Sequence, residues 1–319
     1  MSLSMDTAQN VELKNKNWFK TGGKARYFCK PESNTDFKEA LNFAKEKDLK
    51  VFILGSGANV LISDNGFQGL VIKPNLKQKE IVSEEQGFIK SGAGVQILEL
   101  INYCLDSNFV GLEEFSGIPG TVGGSVYINI HYFDSLLSDF IVSATIIDRK
   151  SLLTKKVDKD WFNFGYDTSK LENKEHFLLD ATFKLKKVDD DEVSYAKGRR
   201  DEIIRHRNIR YPTAGTCGSF FRNFREDDDC WEKLPVINER KMKFAAYYLD
   251  KIGVKGSLSH GGARVSSKHA NMIVNESNAS TQDIIRVAKE MQSLVQEKYG
   301  FILEPECQLV GFKEYPLLK

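Results

Sequence analysis

Residues 51 to 63 read Val51-Phe52-Ile53-Leu54-Gly55-Ser56-Gly57-Ala58-Asn59-Val60-Leu61-Ile62-Ser63. Two apolar runs flank a glycine-containing turn, and short apolar runs bounded by turn residues are typical of buried strands. Glycines let consecutive backbone N–H groups approach phosphate oxygens without obstruction by side chains. The pattern therefore predicts either a phosphate-binding loop between two strands or an ordinary hairpin. It is not the dinucleotide fingerprint, because that pattern has a third glycine and opens a helix.

A second glycine-rich run lies downstream and reads Gly117-Ile118-Pro119-Gly120-Thr121-Val122-Gly123-Gly124. We place the residues that follow it, including Ser125 and Asn129, on a strand. Two glycine-rich loops together favour a dinucleotide held from two sides. Glycine abundance is a weak signal, because turns and closely packed strands need the same residue.

The periodicity of apolar residues around these loops indicates a mixed fold. Residues 33–36 cap a predicted helix whose apolar positions recur at helical spacing, so a strand-helix-strand unit opens the chain. A helix at 96–107 and strands at 141–148 and 176–185 form a second unit. The fold class is therefore α+β.

The C-terminal third is predicted to be a further compact unit. Its elements are a helix at 243–252, a strand at 270–274, a helix capped by Ser280 and a last strand at 301–312. Upstream, the polar stretch 186–192 has the composition of a linker, and a charged helix at 195–207 follows it. We expect a domain boundary near residue 200.

Composition and charge exclude several classes of protein. The chain has 319 residues, of which 41% are hydrophobic and 28% charged. No apolar run approaches the roughly 18 residues that a membrane span needs, so no membrane partner is expected. A net charge of +1 provides no electrostatic basis for binding nucleic acid. The basic cluster at 197–210 is interpreted as a solvated helix face.

Cysteine usage and the N-terminus indicate a reducing compartment. The five cysteines are odd in number and lack a CxxC pair, which argues against a disulfide-linked partner and against a zinc site. No metal is expected elsewhere. Residues 1–6 do not resemble a secretory signal, so we expect a cytoplasmic protein. The oligomeric state is not predicted.

Several side chains could carry chemistry, but each has a plainer interpretation. Ser219 lies in a glycine-hinged loop, where a serine commonly satisfies backbone groups. Glu304 and Glu306 fall on one face of the last predicted strand, where two carboxylates repel unless one has a task or a cation. Cys217 and His269 are interpreted as packing and structural residues, because neither has a catalytic partner or a second ligand nearby in the sequence.

Six motifs in fixed order carry a family resemblance. They are NWFKTGGKA (17–25), ILGSGAN (53–59), GIPGTVGG (117–124), GSFFRN (218–223), VSSKHAN (265–271) and LEPE (303–306). In this order they resemble the UDP-N-acetylenolpyruvoylglucosamine reductase family, the flavoenzymes known as MurB. The resemblance extends from residue 17 to residue 311.

The resemblance implies FAD in a two-part domain of the vanillyl-alcohol-oxidase (PCMH) type, followed by a C-terminal α+β substrate domain. The two FAD subdomains would be residues 1–73 and 74–200, with 302–319 returning to the second, and the substrate domain residues 201–301. NADPH would reduce the flavin, and the enolpyruvyl double bond of the UDP-sugar would be reduced to give UDP-N-acetylmuramate for peptidoglycan. The implied cofactor-binding residues are Leu54, Gly55, Ser56, Gly57, Ala58, Asn59, Gly117, Pro119, Gly120, Thr121, Gly123 and Gly124.

The resemblance also assigns roles at the reacting group. Ser219 matches the family's proton donor, and Glu306 matches its acidic partner at the enolpyruvyl group. Tyr166 and Asn223 match positions that contact the substrate. Read without the resemblance, Tyr166 would be a buried aromatic whose hydroxyl is satisfied.

Two departures from the family pattern put catalysis in question. Asp167 stands where the family has an arginine that helps to hold the substrate carboxylate, and residues 130–134 replace a Gly-Ala-Tyr-Gly turn. Arg222, Arg210 and Lys170 are the candidates for a substitute cation, and Arg222 is assigned to substrate binding. The alternatives are a paralogue that binds flavin or UDP-sugar with altered or lost catalysis, and a related flavin oxidase. The oxidase is less favoured, because no histidine lies in the glycine-rich loops.

Overall fold

The structure is a computed structural model that describes residues 6–319. Residues 1–5, on which most of the expectation about a secretory signal depends, lie outside the described residues. The strands are β1 (Thr7–Glu12), β2 (Lys24–Cys29), β3 (Val51–Ile53), β4 (Val60–Ile62), β5 (Phe67–Ile72), β6 (Lys79–Ser83), β7 (Phe88–Gly92), β8 (Phe109–Val110), β9 (His131–Tyr132), β10 (Ser135–Leu136), β11 (Ile141–Asp148), β12 (Thr154–Asp158), β13 (His176–Lys184), β14 (Lys186–Lys187), β15 (Val236–Ile237), β16 (Arg240–Lys241), β17 (Ser259–His260), β18 (Ala263–Val265), β19 (Ile273–Asn275) and β20 (Gln308–Val310). The α-helices are α1 (Asn34–Glu46), α2 (Ile97–Asp106), α3 (Val122–Tyr127), α4 (Asp190–Arg210), α5 (Ala245–Lys251) and α6 (Thr281–Tyr299).

Close contacts divide the chain into two compact units. The first unit contains residues 6–9, 26–56 and 68–207, and the second contains residues 10–25, 57–67 and 208–319. Each unit has its own hydrophobic core. No helix in the part of the chain from residue 6 to residue 319 combines the length and the apolar character needed to cross a membrane.

The first unit is built on two sheets. One has the strand order β1-β2-β5-β3, and the other is an antiparallel sheet of order β12-β11-β13-β7-β6. Helix α1 begins at the predicted cap, and the structure shows a capping box there, in which the Ser33 hydroxyl accepts from the amide of Asp36 and the Asp36 carboxylate accepts from the amide of Ser33. The apolar face of α1, including Phe37 and Leu41, packs with Leu70 of β5 in one core. The predicted strand-helix-strand opening is therefore confirmed.

The second unit joins segments far apart in the sequence. Its core combines Phe19 and Leu61 with residues from positions 217–317. Helix α6 begins with the predicted capping box of Ser280 and Asp283 and packs on the sheet β17-β18-β19. Thr281 donates a hydrogen bond from its hydroxyl to the carbonyl of Ile62 at 2.7 Å.

The structure corrects three expectations about the course of the chain. Residues 122–127 form helix α3 instead of the expected strand, because Thr121 caps the helix by accepting from the amide of Gly124 at 3.2 Å. Helix α4 runs through residue 200, with the acidic residues of the supposed linker in its first turn, where the helix dipole favours negative charge. The last segment does not return to residues 74–200. Its strand β20 pairs in parallel with β4, and only residues 308–310 of the expected strand at 301–312 are extended in a ladder.

Candidate functional site

The loop at residues 54–59 connects two different sheets, so the hairpin interpretation is wrong. Strand β3, before the loop, pairs in parallel with β5, whereas β4, after it, pairs in parallel with β20. Leu54 ends the first run by donating its amide to the carbonyl of Ile72 at 2.8 Å. Among residues 6–319, the amide N–H groups of residues 55–59 find no acceptor in the protein. These five donors, at the end of a buried strand, can receive an anionic ligand.

The backbone of this loop lies close to neighbouring backbone segments and is hydrogen-bonded to them. The carbonyl of Gly57 accepts from the amide of Trp18 at 2.9 Å, and a Cβ at Gly57 would lie 2.6 Å from the Cα of Asn17. The carbonyl of Asn59 accepts from the amide of Gln308 at 3.1 Å. Gly57 has a φ of +70°, a conformation that residues with a Cβ rarely adopt. This position therefore requires glycine.

The second glycine-rich run meets the first within the first unit. A Cβ at Gly55 would lie 2.7 Å from the hydroxyl oxygen of Thr121. The amides of Val122 and Gly123 already donate to the carbonyls of Val95 and Ala93, at 2.8 and 2.9 Å. These two amides of the second run are therefore committed within the first unit, whereas the amides of Gly117, Gly120 and Thr121 have no acceptor among residues 6–319.

Buried polar atoms without a protein partner lie in both runs. Across the described residues, the Asn59 Oδ1 and Ser125 Oγ atoms are buried and accept or donate no hydrogen bond in the protein. A Cβ at Gly120 would lie 3.4 Å from the Ser125 oxygen, so this oxygen faces the loop. Lys73 donates from its Nζ to the carbonyl of Gly55 and brings a cation to the same place. A buried polar atom without a partner is costly, which indicates that a polar ligand completes these sites.

Ser219 lies in a loop that Asn271 holds in place. The buried Asn271 accepts from the amides of Phe220 and Phe221 through its carbonyl and its Oδ1, and its Nδ2 donates to the carbonyl of Phe221 at 2.7 Å. Gly218, with a φ of +84°, turns the chain immediately before the serine. Within residues 6–319 the Ser219 Oγ has no hydrogen-bond partner, so its proton is available to a ligand.

Glu306 enters the same region of the second unit through a short backbone pairing. Phe221 forms an antiparallel bridge with Pro305, and the amide of Glu306 donates to the carbonyl of Phe220 at 2.8 Å. Glu306 is therefore paired with the residue next to Ser219. The structure brings together these two predicted catalytic residues from positions 87 apart in the sequence.

Arg222 has no donor to spare for a substrate. Its five N–H groups bond the Glu304 carboxylate through Nε and Nη2, the Asp228 carboxylate through Nη1 and Nη2, and the Asn223 carbonyl through Nη1. The hydrogen bonds to Asp228 and Glu304 raise the pKa of Arg222, and those from Arg222 lower the pKa of Asp228. Arg222 therefore organises its loop, which differs from the expectation that it supplies the missing cation. Arg222 is thus the cationic partner of Glu304, one of the two carboxylates that were expected to repel each other unless one had a cation.

The two other candidate cations stack on aromatic rings. Lys170 places its Nζ 4.8 Å from the ring centre of Trp161, and Arg210 places its Cζ 5.7 Å from that of Tyr211. Asn223, predicted to contact the substrate, accepts from the amide of Ala245 at 3.2 Å, where α5 begins. The carbonyl oxygen of Asn223 thus has a structural bond in the second unit.

Tyr166 belongs to a hydrogen-bonded group in the first unit. Its hydroxyl lies 2.9 Å from His131 Nε2, and His131 Nδ1 lies 2.9 Å from Asp167 Oδ1. Tyr166 is 37% exposed, so it is not the buried aromatic that its sequence context alone suggests. The two departures from the family pattern, at residues 130–134 and 167, are therefore in direct contact.

His269 and Cys217 have the structural roles expected of them. Burial, with Arg210 and Lys255 nearby, lowers the pKa of His269 to about 4, and its Nδ1 accepts from the amide of Asn271 at 3.3 Å. Burial raises the pKa of the Cys217 thiol well above its usual range, which disfavours the reactive thiolate. Within residues 6–319 no three histidine, cysteine or acidic side chains are placed to hold a metal ion.

Sequence reasoning missed four residues that define these sites. They are Lys73, His131, Asp228 and Asn271. Asn271 lies within one of the six motifs, which was a usable signal. The other three act through partners that are distant in sequence or ordinary in local context, and the local pattern carried no signal for them.

Two family models match successive parts of the chain. The model described as "FAD binding domain" matches residues 25–155, and the model described as "UDP-N-acetylenolpyruvoylglucosamine reductase, C-terminal domain" matches residues 210–310. Together they agree with the predicted fold class, a PCMH-type FAD domain followed by an α+β domain.

Full-length relatives and a solved structure agree with these matches. The chain is 33% identical to the UDP-N-acetylenolpyruvoylglucosamine reductase of Clostridium novyi, over 95% of this chain and 91% of that protein. It is 32% identical to the enzyme of the same name from Caldicellulosiruptor saccharolyticus, over 99% of this chain and 96% of that protein. The crystal structure of MurB from Thermus caldophilus matches with a TM-score of 0.74 at 24% identity, over 96% and 99% of the two chains, and shows a similar fold.

Proposed function

Because the chain belongs to the UDP-N-acetylenolpyruvoylglucosamine reductase family, we propose that it reduces the enolpyruvyl double bond of UDP-N-acetylenolpyruvoylglucosamine to give UDP-N-acetylmuramate for peptidoglycan synthesis. The double bond gains one hydride and one proton. FAD, when bound, supplies the hydride, and NADPH is the proposed source of the electrons. A cytoplasmic location accompanies this proposal. The observation that supports it is the hydrogen bond from the Glu306 amide to the Phe220 carbonyl, next to a Ser219 hydroxyl that has no hydrogen-bond partner in the part of the chain that the structure describes.

The residues of the two glycine-rich runs fit FAD. The five unpartnered amides of residues 55–59 and the Lys73 ammonium suit a pyrophosphate, since both supply positive charge or N–H donors. The buried Asn59 Oδ1 and Ser125 Oγ offer polar partners to the rest of the cofactor. We assign binding to residues 54–59 and to the run 117–124, in which Gly123 and Gly124 lie in the first turn of α3.

Substitution of Gly57 by alanine is expected to remove bound flavin. The new Cβ would lie 2.6 Å from the Asn17 backbone at a φ of +70°, so the loop must move. We expect the purified variant to lose most of its absorbance near about 450 nm, and its free energy of unfolding to fall by about 2 kcal/mol or more.

Gly300→Ala is the matched control for this change. Gly300 ends α6 with a φ of +78°, and among residues 6–319, apart from Gly300 itself and its two chain neighbours, no heavy atom lies within 4 Å of the position a Cβ would take. It carries the same backbone strain without the collision, so we expect a loss of about 1 kcal/mol and full flavin content. Full flavin content in Gly57→Ala would contradict the assignment of this loop.

Ser219 is the proposed proton donor. Hydride arrival leaves negative charge on the neighbouring carbon, which must receive a proton. A serine hydroxyl is a weak acid, so it must be held at the acceptor and shielded from water. Three hydrogen bonds between Asn271 and residues 220–221 hold the backbone next to Ser219 in place, and this fixes the position of the serine hydroxyl. Arg222 holds the following residues by its five bonds and is a positioning residue in this proposal.

Glu306 is proposed to act at the enolpyruvyl group as the acidic partner of Ser219. A carboxyl group beside the substrate's own carboxylate assists only when it is protonated or cation-paired. Tyr166 and Asn223 are each proposed to contact the substrate. Their hydroxyl and carboxamide groups offer neutral hydrogen bonds to the sugar nucleotide.

One observation favours a second candidate function. Asp167, whose carboxylate lies 2.9 Å from His131 Nδ1, places an anion next to Tyr166 where the family has an arginine, and an anion does not attract a carboxylate substrate as that arginine would. A paralogue that binds the UDP-sugar tightly but does not reduce it would have this property.

Flavin spectroscopy separates the two functions. Under anaerobic conditions NADPH should bleach the yellow protein, and stoichiometric UDP-N-acetylenolpyruvoylglucosamine should then restore the oxidised spectrum. UDP-N-acetylglucosamine, which lacks the double bond, is the control and should leave the flavin bleached. Bleaching without reoxidation by the enolpyruvyl substrate, at every pH tested, would favour the non-catalytic paralogue.

A further inference from the structure

Three side chains of the first unit form a continuous hydrogen-bonded group, which we call the Tyr-His-Asp group. His131 lies at its centre, with Nε2 at 2.9 Å from the Tyr166 hydroxyl and Nδ1 at 2.9 Å from Asp167 Oδ1. The rings of His131 and Tyr166 lie 4.4 Å apart, centre to centre. The Asp167 side chain is only 10% exposed and that of His131 27% exposed. Both nitrogens of the imidazole are therefore committed, one to an anion and one to a phenol.

The backbone holds this group together through Asn129. Asn129 donates from Nδ2 to the carbonyl of Gly165 at 2.9 Å and accepts at Oδ1 from the amide of Ser138 at 2.9 Å. It is buried and has a φ of +48°, so it sits at the turn into β9 and fastens the β9-β10 hairpin to the turn at 165–168. Asp167, with a φ of +55°, lies at the tip of that turn. The hairpin and the turn are thus built to face each other.

The direction of each hydrogen bond depends on the protonation of His131. Asp167, as a carboxylate, can only accept, so Nδ1 carries a proton in either state. In the neutral imidazole Nε2 is an acceptor, and the Tyr166 O–H must point at it. When Nε2 takes up a proton it becomes a donor, and the Tyr166 hydroxyl is turned to donate elsewhere. The net charge of the group rises at the same time from −1 to zero.

Most other charged groups near β9 already have a hydrogen-bond, ion-pair or aromatic partner, and Asp134 is the exception among the described residues named below. The hairpin and the turn after it contain Asp134 and Asp139. The 3-10 helix Glu113–Phe115, which packs against β9, carries Glu113 and Glu114, and the turn after Thr168 carries Lys170 and Glu172. Helix α4 contributes Arg199, His206 and Arg207. Arg199 binds Glu114 through two hydrogen bonds, and Lys170 stacks on Trp161. His206 bonds the hydroxyl of Tyr132, the residue next to His131, at 3.3 Å.

We propose that His131 is a positioning residue whose protonation neutralises Asp167 and makes the Tyr166 hydroxyl a hydrogen-bond donor to the substrate's carboxylate. This inference rests on the proposed function, in which Tyr166 contacts the substrate. It accounts for an aspartate at position 167 in a site that takes an anion. In this proposal His131, which lies on the altered turn at 130–134, compensates for the loss of the arginine that the family has at position 167.

The test uses two ligands that differ by one lactyl ether group, which carries a carboxylate. UDP-N-acetylmuramate carries it and UDP-N-acetylglucosamine does not, and both can be titrated by calorimetry into the oxidised holoenzyme between about pH 5 and 8, where histidines titrate. Affinity for UDP-N-acetylmuramate should fall as pH rises, by up to about tenfold per pH unit on the high-pH side of the measured transition, the limit for one linked proton. Affinity for UDP-N-acetylglucosamine should not follow this transition.

Variants assign the transition to His131. His131→Gln should abolish the difference in pH dependence between the two ligands, whereas the matched change His206→Gln, at a nearby histidine outside the group, should retain it. Asp167→Asn removes the negative charge with little change in shape. It should bind UDP-N-acetylmuramate more tightly than the unaltered protein at the high-pH end, a gain that a merely structural role does not produce. Flavin content and circular dichroism confirm that each variant is folded.

Two results would overturn the inference without touching the proposed function. One is equal pH dependence for the two ligands in the unaltered protein, and the other is a pH dependence that persists in His131→Gln. Failure of the proposed function has a different signature, because the flavin then stays bleached with the enolpyruvyl substrate at all pH values, whatever the binding data show.

Discussion

Ser219→Ala is expected to lower kcat for the enolpyruvyl substrate by at least about 100-fold, the usual contribution of a positioned general acid. The carbon next to the site of hydride addition then has no side-chain proton donor and must obtain its proton from water. NADPH should still bleach the flavin at the unaltered rate, because that half-reaction needs no proton from this hydroxyl. Stopped-flow absorbance of the flavin measures the two half-reactions separately.

Ser257→Ala is the control for removal of a serine hydroxyl in the same unit. Its Oγ donates to the carbonyl of Gly253 on an exposed turn, far in sequence from the Ser219 loop, and both half-reactions should be unchanged. The Ser219 Oγ makes no hydrogen bond to the described protein, so Ser219→Ala should also leave the free energy of unfolding nearly unchanged. Flavin reoxidation at the unaltered rate in Ser219→Ala would exclude this serine as the donor.

Arg222→Met is expected to cause the largest loss of stability, about 3 kcal/mol in the free energy of unfolding. The change strands the Asp228 carboxylate, whose side chain is only 15% exposed, and removes all five hydrogen bonds of the guanidinium. Urea denaturation followed by circular dichroism measures the loss. Arg222→Met with Asp228→Asn should recover part of it, because the stranded charge is then gone.

The dependence of this loss on pH identifies its cause. Hydrogen bonds from Arg222 lower the pKa of Asp228 in the folded protein. The pair therefore stabilises the fold fully above the pKa of an aspartate in the unfolded chain, about 4. This stabilisation is lost as pH falls through the lower pKa of Asp228 in the folded protein. The stability difference between the unaltered protein and Arg222→Met should therefore shrink in acid. Arg205→Met, which breaks an exposed pair with Glu202, should lower the free energy of unfolding far less than Arg222→Met does, because solvent screens an exposed pair. Equal losses in the two variants would contradict a special role for Arg222.

Helices and their starting points could be predicted well. The capping boxes at Ser33 and Ser280 involve partners three residues away, and the apolar faces of α1 and α6 repeat within a few residues. The order of six motifs likewise indicated the family and the Ser219 and Glu306 pair. The glycine runs were found, but the helix after the second run was taken for a strand, because six residues with two glycines carry little helical periodicity.

Contacts between distant segments could not be predicted. The hairpin alternative at 51–63 failed because β4 pairs with β20, nearly 250 residues later. Arg222 was chosen as a free cation because its partners Asp228 and Glu304 are ordinary acidic residues when read in sequence. His131 and Asp167 each looked like the loss of a family feature, and their 2.9 Å contact has no counterpart in the local pattern of either.

The amino-acid sequence alone was sufficient for the α+β class, the capped starts of α1 and α6 and the glycine loop at 55–59, and the order of motifs also predicted Ser219 and Glu306 as the proton donor and its acidic partner, which stay predictions. These depend on interactions across a few residues or on the order of motifs, and both are present in the linear chain. Only the tertiary structure decided that residues 51–63 connect two sheets, that Arg222 is fully bonded and that His131 joins Tyr166 to Asp167. These depend on which backbone segments approach each other, and hydrogen-bond direction and charge pairing at a site are set only after that approach.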